Sequence, residues 1–439
     1  MSRPIVLRGG RILDPSRDID RVQDLWIDQG RIAGLGEDAP AAVRSQKDIE
    51  TIDVSGAIVC PGFVDIHVHL REPGQEEKET IETGTRAAAR GGFTTVACMP
   101  NTDPPLDDRP RVEYVVRRAR EAGHARVLPI AAVTRGQAGE ALTEMEDLVD
   151  AGAVAFSDDG KPVWNAEIMR RALELTRPLK IPIIQHAEDR DLKGIGVVHE
   201  GWISTKVGLK GIPDVAESVM VARDALLAEL TGGRVHVAHV SAARSVEIIR
   251  KAKARGIAMT AEVTPHHLVL TDEAVSGYDT NTKMNPPLRS TRDREALIEG
   301  VVDGTIDCLA TDHAPHTEIE KDNDFDSAPF GITGLETALG LYIKALVEPG
   351  HLTLPELLLR MTRKPLEVLG RRGGTLEPGE PADVTVFDPA ARWTVRAVES
   401  ASRSRNTPFD GWELPGRVLF TLLDGRITYR EPAALTSGR

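Results

Sequence analysis

The sequence predicts an α/β protein: a (β/α)8 TIM-like barrel with a small β-sandwich domain formed by the N- and C-terminal segments. Three observations predict it. Both ends of the chain alternate short β-like runs with Gly turns. The middle alternates short continuous apolar runs with longer segments of helical periodicity, the pattern of a buried parallel sheet. Eight such units follow one another, which favours a closed barrel over an open sheet.

Composition sets the frame. The chain has 439 residues, and at about 150 residues per domain that is roughly three domains. One α/β barrel of about 250 residues would take up much of it. Hydrophobic residues are 41% and charged residues 28%, which excludes disorder over most of the chain. Aromatics are only 4%, so the core must be built from Ala, Val, Ile and Leu. The charge sum is 54 − 67 = −13. Such a surface repels phosphate backbones and anionic lipid, so neither nucleic acid nor a membrane is expected as a partner. The longest stretch without Asp, Glu, Lys or Arg is 12 residues, 91–102. That is short of the about 18 needed for a membrane span. The first apolar run ends at Leu7, too early for a signal-peptide core. Cys60, Cys98 and Cys308 each lie inside an apolar run. An odd, buried set argues against a disulfide framework and for a reducing cytoplasm.

The flanks read as follows. Ile5-Val6-Leu7, Asp24-Leu25-Trp26-Ile27-Asp28 and Arg31-Ile32-Ala33 are strands, with a hairpin turn at Asp28-Gln29-Gly30. Ala382-Asp383-Val384-Thr385-Val386-Phe387, residues 417–423 and Arg426-Ile427-Thr428-Tyr429 repeat the pattern, with Asp424-Gly425 as a strong turn signal. Each flank is small for an independent core. Residues 1–56 and 371–439 are therefore expected to pack into one composite sandwich, with a catalytic barrel over 57–370 inserted between them. Its eight strands are expected at 58–68, 94–99, 127–133, 153–156, 181–184, 235–238, 257–261 and 306–310. Helices are expected at 76–90, 112–122, 166–176, 215–230, 243–254 and 292–302.

Barrel active sites sit at the C-terminal ends of the strands. Strand one ends in Asp65-Ile66-His67-Val68-His69-Leu70-Arg71, strand two in Pro100-Asn101-Thr102, and strand three in Thr134-Arg135. Strand four gives Ser157-Asp158-Asp159-Gly160, strand five Gln185-His186-Ala187-Glu188, and strand six His239-Val240-Ser241. Strand seven gives Thr264-Pro265-His266-His267, and strand eight Thr311-Asp312-His313-Ala314-Pro315-His316. Eight of the 12 histidines thus fall on one rim.

His67 and His69 lie two apart on a strand and so face the same way. Imidazole with carboxylate suits a divalent transition metal, zinc first. His67, His69, Asp158, His186, His239 and Asp312 make six candidate ligands from five strands. Six is too many for one tetrahedral catalytic zinc and suits two metals with a bridging carboxylate. Each ligand has a plainer alternative. His186 alone would be a satisfied rim histidine. Asp158 has Asp159 beside it, and either could cap a turn. His236 falls on the opposite strand face from His239 and reads as packing. His266 and His267 read as structural or supporting. There is no Gly-x-x-x-x-Gly-Lys phosphate loop and no Gly-x-Ser-x-Gly elbow.

The constellation resembles the amidohydrolase superfamily. Its finer motifs resemble the class I dihydroorotases of bacteria: residues 65–74, Met99-Pro100-Asn101-Thr102, Phe156-Ser157-Asp158-Asp159-Gly160, Met284-Asn285-Pro286-Pro287-Leu288-Arg289, residues 311–316 and Asn406-Thr407-Pro408-Phe409. The resemblance spans essentially the whole chain. It implies the reversible, zinc-dependent cyclisation of N-carbamoyl-L-aspartate to (S)-dihydroorotate, the third step of de novo pyrimidine synthesis.

Carried over, the resemblance assigns a first Zn2+ to His67, His69 and Asp312 and a second to His186 and His239. Asp158 bridges them where many superfamily members use a carbamylated lysine, and the shorter bridge is expected to hold the second metal less tightly. Such a centre lowers the pKa of coordinated water towards about 7 and polarises the scissile carbonyl. Asp312 serves as general base and then acid. The resemblance assigns the substrate to His69, Arg71, Asn101, Asn285, His316, Phe330 and Gly331, with the Arg71 guanidinium holding its carboxylate. The plain alternative for Arg71 is a surface ion pair with Glu72. Residues 317–328 read as a loop over the site. A homodimer and an association with aspartate transcarbamoylase stay open. The nearest rival is a hydantoinase or allantoinase, which should have the bridging lysine and lack Arg71. A non-catalytic scaffold for aspartate transcarbamoylase should have lost metal ligands.

Overall fold

Eight parallel strands follow one another around a single sheet in chain order: β1 (Phe63–Val68), β2 (Phe93–Cys98), β3 (Arg126–Ala132), β4 (Ala155–Ser157), β5 (Ile183–Gln185), β6 (Val235–Val237), β7 (Met259–Val263) and β8 (Cys308–Leu309). A parallel bridge between Val68 and His313 joins the last strand back to the first, and His69 N–H donates to the His313 carbonyl at 2.8 Å. This is the predicted barrel. The computed structural model describes residues 3–46 and 48–432. The outermost residues of both predicted flanks therefore lie outside the described residues.

Local chemistry explains the elements. Helix Ile81–Arg90 starts later than the expected 76, because Thr80 and Thr83 cap its first turn reciprocally. Asp108 caps Arg109–Ala122 and Asn165 caps Ala166–Leu179. Val215–Thr231, Ala243–Ala254 and Thr291–Val302 fall where periodicity puts them. Outside the strands, Phe63, Val96, Val127, Ile183, Val235 and Val263 pack on these helices. Inside, Val64, Ile66, Ile130, Ile184, Ala238 and Cys308 form a second cluster closed by Leu366, Val368 and Leu369. This floor lies beneath the site.

The expected first strand, 58–68, is two strands. Ile58–Pro61 pairs with Val384–Thr394 and Arg11–Asp14 in the flanking sheet, and the barrel strand begins only at Phe63. The chain changes sheets at Gly62, where a Cβ would collide with the Thr94 side chain. Strand pairing thus extends the flanking sheet through Pro61.

A four-stranded sheet (Arg31–Leu35, Leu25–Asp28, Ile5–Arg8, Glu50–Asp53) faces a six-stranded one built from both ends of the chain. Leu7, Leu25, Ile27, Val59, Val384 and Leu422 share one cluster between them. Both predicted hairpin turns have positive φ at their two central residues, Gln29-Gly30 and Asp424-Gly425, as the twist of a two-residue hairpin demands. Val395, Phe409 and Leu414 from the C-terminal arm pack on Met284, Leu288 and Ile332, so this arm backs the loops of the rim. Cys60, Cys98 and Cys308 are buried and free. No helix among the described residues is long and apolar enough to cross a membrane.

Candidate active site

Strand β1 shifts register between Asp65 and Val68, an irregularity that re-aims side chains at a sheet end. Asp65 is fully buried and accepts from the backbone N–H of His67 and of Thr311, tying β1 to the segment after β8. His69 Nε2 lies 3.0 Å from Asp312 Oδ1, and His67 Nε2 lies 3.6 Å from the same oxygen. Burial alone would raise the Asp312 carboxyl. His69 and His67 outweigh burial and hold it below the carboxylate range.

Asp159, not the expected Asp158, lies among the histidines. Asp158 turns away from the histidines: its carboxylate accepts from Thr134 N–H at 3.0 Å and from the Thr134 hydroxyl. Burial raises its pKa to about 6. Asp159 takes the central place, 3.4 Å from His67 Nε2 and 3.5 Å from His69 Nε2, His186 Nδ1 and His239 Nε2. Burial again opposes ionisation, and the surrounding imidazoles hold Asp159 well below the usual carboxylate range. The reason is local: β4 ends at Ser157, whose hydroxyl accepts from Asp159 N–H, and the turn that follows presents the second aspartate inward.

His186 Nδ1 and His239 Nε2 are 2.9 Å apart. His239 lies just past β6 with φ 32°, which breaks strand alternation. The expected opposition of His236 and His239 is therefore not observed. Both meet Glu262 of β7, His236 through Nε2 at 3.1 Å and His239 through its N–H at 3.3 Å. Glu262 Oε1 is also 2.6 Å from His67 Nδ1. Sequence patterning does not single out Glu262. A lone carboxylate inside an apolar strand was the available signal. His267 binds Thr264 Oγ1 and the Pro286 carbonyl, while His313 accepts from Gly334 N–H and faces Glu79.

The remaining expected residues line the same rim. Arg71 is 8% exposed at φ 61° and donates to the Pro315 carbonyl; its Nη2 lies 3.3 Å from His316 Nε2. Burial pushes it down to about 10. Glu72 does not pair with it: that carboxylate accepts from Arg118, Tyr114 and Ile81 N–H. His316 Nε2 is 2.9 Å from the Phe330 carbonyl. Gly331 sits at φ 113°, where a Cβ would meet Ala314 Cβ at 2.6 Å, so the close approach requires glycine. Asn406 ties this corner together, accepting from His316 N–H and donating to the Ala314 and Gly331 carbonyls. Asn101 Oδ1 meets His69 Nδ1 at 2.8 Å, and the Asn285 amide meets His186 Nε2 at 3.1 Å.

The loop at 317–328 is packed down. Lys321 Nζ donates to the Thr280 and Pro329 carbonyls, Lys283 Nζ to those of Asp326 and Ala328. Phe325 is buried among Val197, Val198 and Val275.

Two overlapping sets offer donor atoms close enough for a metal: His67, Asp159 and His239; and His67, His69 and Asp312. His67 Nε2 and Asp159 Oδ1 are buried without a hydrogen-bond partner among the described residues. A lone-pair nitrogen beside carboxylate oxygens is satisfied by a cation, and this donor set fits a divalent one.

Residues 56–245 match a family profile described as Dihydro-orotase-like. The dihydroorotase of Syntrophotalea carbinolica is 53% identical over 97% of this chain and 99% of its own length. That of Pelotomaculum thermopropionicum is 54% identical over the same shares. Among solved structures, an L-hydantoinase (dihydropyrimidinase) from Arthrobacter aurescens superposes with a TM-score of 0.84 at 26% identity, covering 96% of this chain and 95% of its own. A dihydropyrimidinase from Brevibacillus agri gives 0.82 at 23%, over 97% and 95%, and speaks to the fold alone. With half its residues matched along nearly its whole length, the chain belongs to the dihydroorotase family.

Proposed function

We propose that this chain is a bacterial-type class I dihydroorotase, interconverting N-carbamoyl-L-aspartate and (S)-dihydroorotate in de novo pyrimidine synthesis. One observation carries the reading. His67, His69, Asp159, His186, His239 and Asp312 converge at the mouth of a barrel, in a chain 53% identical to a protein named dihydroorotase. We assign His67, His69 and Asp312 to a first zinc, His186 and His239 to a second, and Asp159 to the place between them. Bound there, zinc supplies Lewis acidity and a nucleophile at neutral pH.

The chain's own groups do the rest. Asp312 stays ionised between His69 and His67, so it can take a proton from the attacking water. It returns that proton to the ring nitrogen as the C–N bond breaks, and the roles reverse on cyclisation. Arg71 holds the substrate carboxylate, aided by Asn101 and His316. Its fixed charge and lack of an ion-pair partner among the described residues suit the task. His69 also borders the substrate. Asn285, Phe330 and Gly331 meet the ring amides.

A cyclic amidase of the hydantoinase kind is the competing reading, since that fold is shared. No lysine occupies the bridging place, where Asp159 stands. The test compares hydrolysis of dihydroorotate, hydantoin and allantoin by the purified chain. Dihydroorotate should be strongly preferred; turnover of hydantoin with dihydroorotate untouched would assign the other activity. We place the protein in the cytoplasm; a homodimer and an association with aspartate transcarbamoylase are both open to it, and size-exclusion chromatography with light scattering, with and without that enzyme, decides between them.

A further inference from the structure

We infer that Glu262 is a positioning residue: it sets the tautomer and aim of His67 and braces the backbone of His239 for metal binding. This rests on the site being a metal centre, as proposed above.

Glu262 is the penultimate residue of β7 and has no exposed surface. Its strand neighbours Ala261 and Val263 pack outward with the aliphatic core. A carboxylate buried there is costly unless fully hydrogen-bonded. Its oxygens are fully used. Oε1 meets His67 Nδ1 at 2.6 Å and the His239 N–H at 3.3 Å, and Oε2 meets His236 Nε2 at 3.1 Å. His236 Nδ1 lies in turn 2.8 Å from Thr260 Oγ1.

An ionised carboxylate can only accept. His67 Nδ1 and His236 Nε2 must therefore carry hydrogens, and the Thr260 hydroxyl donates to His236 Nδ1. In the neutral ring that binds a metal, His67 Nε2 is then the lone pair, 3.4 Å from Asp159 and 3.6 Å from Asp312, with no donor among the described residues facing it. Histidines that ligate metals generally give their other N–H to a carboxylate or carbonyl, which fixes the ring. Here one carboxylate serves two candidate ligands from different strands.

His236, Glu262 and Cys308 are also close enough to hold an ion themselves. Both Glu262 oxygens and both His236 nitrogens are already engaged, so the trio is a support beneath the site and not a second site.

The test is Glu262→Gln in the full chain. The amide keeps the shape but presents a donor to one of two rings that need an acceptor. Zinc affinity is read by chelator competition, together with kcat, KM and the unfolding temperature of the metal-free protein. Zinc affinity should fall about 10- to 100-fold. We expect kcat to follow it, KM for dihydroorotate to move little, and the metal-free Tm to change by a few degrees at most. Glu262→Asp, which keeps the charge but draws it back, should fall between wild type and Glu262→Gln, and carries the test if the glutamine variant does not fold. Wild-type zinc affinity in a folded Glu262 variant overturns the inference. His67→Ala serves as a control: undiminished zinc binding there, or no binding by wild type, would instead overturn the metal centre.

Discussion

The barrel rim and the flanking sandwich belong to one chain and obey opposite rules. Between the sandwich sheets, buried side chains such as Leu7, Leu25, Val59 and Val384 are aliphatic. Non-glycine residues with positive φ there fall in turns, at Asp18, Gln29 and Asp424. On the rim the buried side chains are imidazoles, carboxylates and a guanidinium, and positive φ falls on Arg71, His239 and Asp312. Each such backbone costs about 1–3 kcal/mol and persists only where its surroundings enforce it. The sandwich and the barrel floor supply the stability that the rim, arranged for chemistry, does not. Substitutions should separate the two.

The largest effect should come from Asp312→Ala. Turnover should fall by about 10²- to 10⁴-fold with the fold intact, measured as kcat at verified metal content; near-normal kcat would break the comparison. The opposite pole is Leu7→Ala, fully buried in the sandwich. Denaturant unfolding should show a loss of about 2–5 kcal/mol while kcat stays at the wild-type value.

A sharper test lies within the rim. Asp159→Asn should weaken metal binding by about tenfold or more, whereas Asp158→Asn, whose side chain serves Thr134, should leave metal content unchanged. Equal losses in both would contradict the division of roles. Arg71→Ala should raise KM for dihydroorotate by about 10- to 100-fold, the worth of a charge-assisted contact, with a smaller change in kcat. An unchanged KM would remove Arg71 from the substrate site.

A pH-dependent effect concerns Lys321. Burial lowers its pKa to about 7 from 10.5. Between those values the folded state holds fewer protons than the unfolded one, so the cost of burying the ammonium is full below pH 7 and relieved as pH rises. The Tm of wild type minus that of Lys321→Met should therefore increase from pH 7 to 10. A flat difference would contradict this.

Much of the rim was legible because strand ends can be located from apolar runs. His67, His69, His186, His239 and Asp312 needed only that. The choice between Asp158 and Asp159 was not legible, because a turn after a three-residue strand decides it. His236 misled for a related reason: alternation holds along β6 and fails one residue beyond Ala238, where His239 turns to positive φ. Glu262 was not legible because the expected strand stops at 261, whereas β7 runs to Val263 and takes Glu262 inside it. The break at Gly62 was signalled by Pro61-Gly62 but hidden by the apolar run on both sides.

The central claim is that dihydroorotate turnover depends on metal held by the rim. Metal content and dihydroorotate hydrolysis, followed by ultraviolet absorbance, should be measured on one preparation before chelation, after it, and after adding zinc. The account predicts activity that disappears with the metal and returns with zinc. Undiminished hydrolysis by metal-free protein would contradict it.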